Sequence, residues 1–106
     1  MPQNLIYVTA ENRDKALIIA RLLVEERLVA GVNVLDNAIS VYRWEGRVKE
    51  AGEAVLIAKT TRDNAPRVVN RVLEIHDYSC PCVVSVPLDG GNPAFLDWID
   101  AETLKD

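Results

Sequence analysis

The sequence predicts an α+β domain spanning residues 1–106. It should hold an antiparallel sheet of four strands, two helices on one face of the sheet, and a short helix at the C-terminal end. Three observations carry this reading. Apolar runs of strand type and of helix type follow one another in the order β-α-β-β-α-β. The two longest strand-type runs are adjacent and flank Glu45-Gly46, as the arms of a hairpin do. Val, Ile, Leu and Ala dominate a chain that is 49% hydrophobic and only 6% aromatic, so its core is filled by aliphatic packing. A chain of this length supports one two-layer core and often gains stability by oligomerising.

Each element has its own signal. Leu5 to Thr9, LIYVT, is β-branched and aromatic and reads as a buried strand. ENRDKALIIARLLVEERL then places Ala16, Ile19, Ala20, Leu23 and Val24 at helical spacing, with Asp14, Arg21 and Glu25 opposite. Asn12 suits the N-cap, and Gly31 is expected to serve the helix exit. Val32 to Trp44 and Arg47 to Thr61 are the hairpin arms. Gly46 can take the positive φ the turn needs. Glu45 is a poor first residue for a type I′ turn, so a type I turn with a glycine bulge is expected.

Arms of this length exceed the usual strand of roughly five or six residues. Asp36-Asn37 is therefore expected to break the first arm and Ala51-Gly52 the second. The tip, with Tyr42 and Trp44, should project beyond the core and require a partner surface. The second helix lies in DNAPRVVNRVLEIH, with Ala65, Val68, Val69 and Val72 in one stripe, Pro66 in the first turn and His76 on the same face at the last. VVSVPL reads as another buried strand and DGG as a turn. Asn92-Pro93 opens a short helix through Phe95, Leu96 and Ile99. This order is the split βαβ, or ferredoxin-like, arrangement.

Composition narrows the function classes. Sixteen acidic side chains against 12 basic ones give a net charge of −4, and no basic stripe is present, which argues against nucleic acid as a partner. No apolar run approaches the ~20 residues of a membrane-spanning helix. The opening MPQNLIYVTA lacks the pattern of a secretory signal, so a cytoplasmic location is expected.

The stretch HDYSCPC, His76 to Cys82, holds the only histidine and both cysteines. An i, i+2 pair around a proline does not easily reach disulfide geometry, so Cys80 and Cys82 are expected as free thiols. Two thiols and an imidazole suit Cu(I) or Zn(II), with Asp77 or a subunit interface completing the set. The alternative is a helix-end histidine stabilised by the dipole, followed by two buried thiols. Tyr42, Trp44, Tyr78 and Trp98 are candidates for an inter-subunit cleft or for plain interface packing. Lys59 snorkels at the sheet end or binds an anion beside Arg62. Glu45 serves as a ligand, an inter-subunit ion pair or a turn residue.

Several segments together resemble the CutA family of divalent-cation tolerance proteins. They are VTAENRDKA, LVEERLVAGVNV, SVYRWEGRV, LIAKTT, HDYSCP and GNPAFLDWI, in this order from Val8 to Ile99. The resemblance implies a ferredoxin-like subunit assembled as a homotrimer, in which long hairpin strands pair between neighbours. It also implies tolerance of copper and other divalent ions, an architecture like the PII signalling trimers, and no established catalytic reaction. The family usually reads H-P-Y-x-x-P-E after the second helix. Here Asp77 replaces the proline and Cys82 the glutamate, so His76 alone matches the family's proposed copper ligands.

The function expected is therefore copper-class divalent-cation homeostasis by a trimer that binds metal weakly near His76, Cys80 and Cys82. The alternative is a PII-like signalling trimer taking a small anion or a protein partner in its inter-subunit clefts. No catalysis is expected. TAENRDKA lacks the glycine-rich phosphate cradle that an acylphosphatase of this fold would need, and nucleotide-binding fingerprints are absent.

Overall fold

The computed structural model describes residues 2–105. The elements are β1 (Gln3–Ala10), α1 (Arg13–Glu25), β2 (Gly31–Trp44), β3 (Arg47–Thr61), α2 (Ala65–Ile75), β4 (Val83–Pro87) and α3 (Pro93–Glu102). The strands form one sheet in the order β2-β3-β1-β4, with every neighbouring pair antiparallel. This is the expected βαββαβ order.

The core follows from a period of two meeting a period of 3.6. Ile6, Val8 and Ala10 of β1 and Ala54, Leu56 and Ala58 of β3 turn one way. They pack against Ala16, Ile19, Ala20 and Leu23 of α1 and Ala65, Val68 and Val72 of α2. The alanines on the sheet and on α1 let the helices lie close.

At the start of α1, Asn12 is extended and its Oδ1 accepts the Lys15 N–H at 2.9 Å, as expected of a cap. The exit differs from the sequence reading. Gly31 opens β2, and Arg27 takes the left-handed conformation with φ 60°. The Leu28 N–H donates to the Leu23 carbonyl at 3.1 Å and the Arg27 N–H to the Val24 carbonyl at 3.0 Å, which is a Schellman motif. Leu28 and Leu23 both enter the core, supplying the motif's apolar contact. Arg27 is held there because its carbonyl accepts the Leu104 N–H at 2.8 Å and its guanidinium donates to the Ala101 carbonyl at 3.3 Å. Gly31 has a different reason to lack a side chain, since a Cβ there would stand 3.2 Å from the Trp98 ring.

The hairpin turn also differs. Trp44 pairs with Arg47, so the loop has two residues, and Glu45 and Gly46 both have positive φ, 50° and 78°. This is a type I′ turn, whose twist matches that of the arms, and it overrides Glu45's poor preference. The Trp44 indole donates to Glu45 Oε1 at 3.1 Å. The first arm is interrupted where expected. The register shifts between Leu35 and Ala38, Asn37 has φ 62°, and its N–H donates to Asp36 Oδ1 at 2.8 Å. The second arm is unbroken, with Ala51 opposite Ser40 and Gly52 opposite Ile39. An extra residue in one arm is enough to bend the pair. Pairing of β1 with β3 stops at Ala10 and Ala54. Beyond that point, among the described residues, 38–44 and 47–53 pair only with each other, as a two-stranded ribbon with Ile39 77% and Val48 64% exposed.

β4 is not the buried strand that VVSVPL suggested. It is an edge strand, and Val84 and Val86 are exposed. The reason is that α1 and α2 cover only one sheet face. On the other, α3 covers one corner, with Trp98 over Gly31 and the Gln3 amide donating to Asp100 Oδ1 at 3.0 Å. Asn92 Oδ1 caps α3 by accepting the Ala94 N–H at 3.1 Å. Tyr7, Leu35, Val84 and Val86 remain exposed on the rest of that face. Among the described residues, no helix is long and apolar enough to cross a membrane.

The C-cap of α1 is tied to the body of α2 by a forked ion pair. Arg71 Nε and Nη2 donate to Glu26 Oε1 and Oε2 at 2.9 and 2.8 Å, and Arg71 holds the Glu26 carboxyl below its ordinary value.

Two outcomes test this description. Arg27→Gly should be more stable than Arg27→Ala by about 1 kcal/mol in urea unfolding, because both lose the guanidinium and only Gly relieves the left-handed φ. Equal stabilities would sink the capping argument. A carboxylate with a depressed folded pKa contributes stability above the ordinary carboxylate range and loses it as pH falls through the folded value. Arg71→Leu should therefore flatten the fall of stability below about pH 4.5 relative to the natural chain. Parallel curves would show that the pair contributes nothing.

Candidate functional site

Residues 76–82 run from the C-cap of α2 to the start of β4, and both ends of this segment are fastened to the main chain of Thr9. The Thr9 N–H donates to the Cys82 carbonyl at 3.3 Å, and the Thr9 carbonyl accepts from His76 Nε2 at 2.7 Å. In a strand the N–H and C=O of one residue point the same way. The imidazole therefore occupies the place where the next rung of the β1–β4 ladder would fall.

The other ring nitrogen is also used. His76 Nδ1 accepts the Tyr78 N–H at 3.1 Å. A peptide N–H can only donate and a carbonyl only accept, so these partners define the neutral tautomer with its proton on Nε2. The side chain is 1% exposed. The imidazole thus presents no unused lone pair to an added ligand.

The rest of the segment is pinned from two sides. Asp77 Oδ2 is paired with the Lys15 ammonium, which also pairs with Glu11 at 2.7 Å. Lys15 holds the Asp77 carboxyl below its ordinary value, and the hydrogen bonds that Lys15 donates to Asp77 and then to Glu11 raise the lysine. The Tyr78 hydroxyl donates to Glu53 Oε2 at 3.0 Å, and its ring lies 4.6 Å from that of His76. Burial and then the Glu53 contact push the phenol up to about 12. A pocket of about 190 Å³ beside the loop is lined by Lys15, Asp77, Ile19 and His76 among others.

Cys80 and Cys82 are both exposed and both free. They share the loop with His76, yet the structure does not join the three into one ligand set. Among the described residues, no group of three or more His, Cys, Asp or Glu side chains is placed to hold a metal ion.

The other candidates separate. Tyr42 and Trp44 lie on the ribbon opposite Lys49 and Arg47, and Glu45 forms the turn. Trp98 stacks on Phe95 with ring centres 5.2 Å apart. Tyr78 belongs with His76 and Glu53 rather than with the ribbon aromatics. Lys59 is half-buried, directly opposite Leu5 on β1 and Gly31 on β2. Its ammonium donates to Asn33 Oδ1, and burial pushes it below the ordinary lysine value. Arg62 is engaged elsewhere, donating to Asn4 Oδ1 at 3.1 Å.

Sequence reading passed over Thr9, Lys15 and Glu53. The Glu11–Lys15 spacing of i, i+4 was a usable signal. The Lys15–Asp77 and Tyr78–Glu53 contacts span 62 and 25 residues and leave no local trace.

His76→Phe should cost about 1–3 kcal/mol in urea unfolding, because it leaves the buried Thr9 carbonyl without its donor. A loss below about 0.5 kcal/mol would mean that the imidazole does not hold the loop.

Comparison with known proteins adds to this geometry. A family model described as "CutA1 divalent ion tolerance protein" matches residues 4–102. The divalent-cation tolerance protein CutA of Thermus thermophilus is 39% identical over 95% of this chain and 98% of its own length. The chloroplastic protein CutA of Arabidopsis thaliana is 35% identical over 97% of this chain, which spans 57% of that longer relative. The crystal structure of CutA1 from Oryza sativa superimposes with a TM-score of 0.96 at 33% identity, covering 100% of this chain and 97% of the other. The chain belongs to the CutA1 divalent ion tolerance family.

Proposed function

We propose that this protein acts in tolerance of copper-class divalent cations, as a homotrimer that binds the ion weakly and catalyses no reaction. The observation that carries the metal reading is the pair of exposed thiols on a loop clamped at both ends to Thr9. Soft thiolates select copper-class ions over magnesium or calcium. Family membership supplies the physiological direction. Free, exposed thiols persist in a reducing compartment, which supports a cytoplasmic location. A net charge of −4 leaves nucleic acid out of the reading.

The uncovered sheet face and the projecting ribbon support assembly. Tyr7, Leu35, Val84 and Val86 on the face, and Tyr42 and Trp44 on the ribbon, are apolar surface that a second and third copy would bury.

A second reading rests on Lys59. Its ammonium is half-buried on a largely apolar face with a neutral amide as partner. A cation so placed gains from an anion when the face is covered. That suits a PII-like trimer holding a small anion between subunits.

Deleting the gene should lower growth in millimolar copper, and the natural chain should restore it while Cys80→Ser/Cys82→Ser should not. Full rescue by the thiol-free chain would remove the loop from the function. For assembly, Trp44→Ala should weaken the trimer at least about tenfold in sedimentation equilibrium. An intact trimer at low micromolar concentration with unchanged melting would remove Trp44 from the interface. For the second reading, citrate or phosphate should raise the melting temperature of the natural chain and not that of Lys59→Met. Equal shifts would discard the anion site.

A further inference from the structure

We infer that Cys80 and Cys82 form a two-thiolate site for a soft monovalent ion, Cu(I), without the imidazole of His76. The inference rests on the metal-tolerance reading above and specifies its ligand set and oxidation state.

Four observations support it. First, His76 is committed: one ring nitrogen serves Thr9, the other accepts from Tyr78, and the side chain is 1% exposed. Its role is to position the loop. Second, the sulfurs are uncommitted. Both cysteines are exposed, and neither sulfur has a hydrogen-bond partner among the described residues.

Third, the segment between them is stiff. Cys80 closes a bend over residues 78–80, Pro81 fixes its own φ at about −65°, and a following proline disfavours the helical region at Cys80, so few backbone conformations are open to the tripeptide. The two exposed thiols lie two residues apart on this restricted backbone, immediately before β4. The same stiffness opposes an internal Cys80–Cys82 disulfide, so oxidation does not readily close the pair on itself. Upstream, Asp77 is paired with Lys15 and Tyr78 with Glu53; downstream, the Cys82 carbonyl is bonded to Thr9. The thiols are therefore presented from a held frame, and the ordering cost of binding is small.

Fourth, the number of ligands selects the ion. Zn(II) requires four tetrahedral ligands, and the described residues supply no third or fourth donor beside the thiols. Cu(I) is soft, has a filled d shell, and is satisfied by two thiolates in a near-linear arrangement. On binding, two S–H bonds break and two Cu–S bonds form. Both protons pass to solvent, and no electron is transferred.

The test uses the full chain, reduced and free of metal. Cu(I) is titrated against bicinchoninate, and the loaded protein is examined by X-ray absorption. The expected result is one Cu(I) per subunit with two sulfur scatterers and no nitrogen. Cys80→Ser and Cys82→Ser should each lower affinity by more than the roughly 10- to 100-fold typical of an outer-shell loss. Excess Zn(II) should not displace the ion.

An imidazole scatterer, or affinity kept by the double serine variant, would overturn the two-thiolate site while leaving metal tolerance standing on another site. Binding that never saturates would mark the thiols as adventitious and also overturn it. If neither the natural chain nor the variant retains Cu(I), Cu(II) or Zn(II), the metal-binding reading falls as well.

Discussion

The main chain of Thr9 joins the sheet to the candidate site. An extended strand must satisfy its N–H and C=O groups at every step, and a buried carbonyl left alone costs of the order of 1–3 kcal/mol. At Thr9 the ladder to β4 is half complete: Cys82 takes the N–H, and an imidazole from the end of α2 takes the carbonyl. A side chain thus finishes a main-chain ladder. The same contact closes the loop 76–82, orients His76, and through Nδ1 orients the Tyr78 N–H. Tyr78 then reaches β3 at Glu53. The loop is consequently bound to β1, α1 and β3, three elements distant from it in sequence.

Much of the fold could be read in the sequence because it rests on local patterns. The stripe of α1, the Asn12 and Asn92 caps, the place of Pro66 and the break at Asp36-Asn37 all rest on spacings of one to four residues. What escaped depends on distant partners. Arg27 tolerates a left-handed φ because residues 101 and 104 grip it. Gly31 is small because Trp98, far along the chain, lies over it. Val84 and Val86 look like core residues in sequence, and their exposure follows only from knowing which sheet face the helices leave uncovered.

The candidate site shows the same division. That His76, Cys80 and Cys82 lie together follows from the sequence alone. That the imidazole is already engaged by Thr9 and Tyr78 follows only from the fold. Residue types close in sequence were therefore a poor guide to a ligand set. The hydrogen-bond inventory of each ring nitrogen divides them into one residue that positions the loop and two with free sulfurs.

The ribbon of residues 38–53 has a consequence for how protection is distributed through the molecule. Among the described residues its strands pair only across the hairpin, and no third strand pairs with it. An isolated two-stranded ribbon is marginal in water, so its local opening free energy falls far below that of the β1–β3 core. In a lone subunit its backbone would exchange hydrogen with solvent on a fast clock, while Ile6, Val8 and Leu56 kept the slow one. Neighbouring copies seated on the ribbon would merge the two clocks. Amide exchange would then report assembly from a segment that contributes nothing to the subunit's own core.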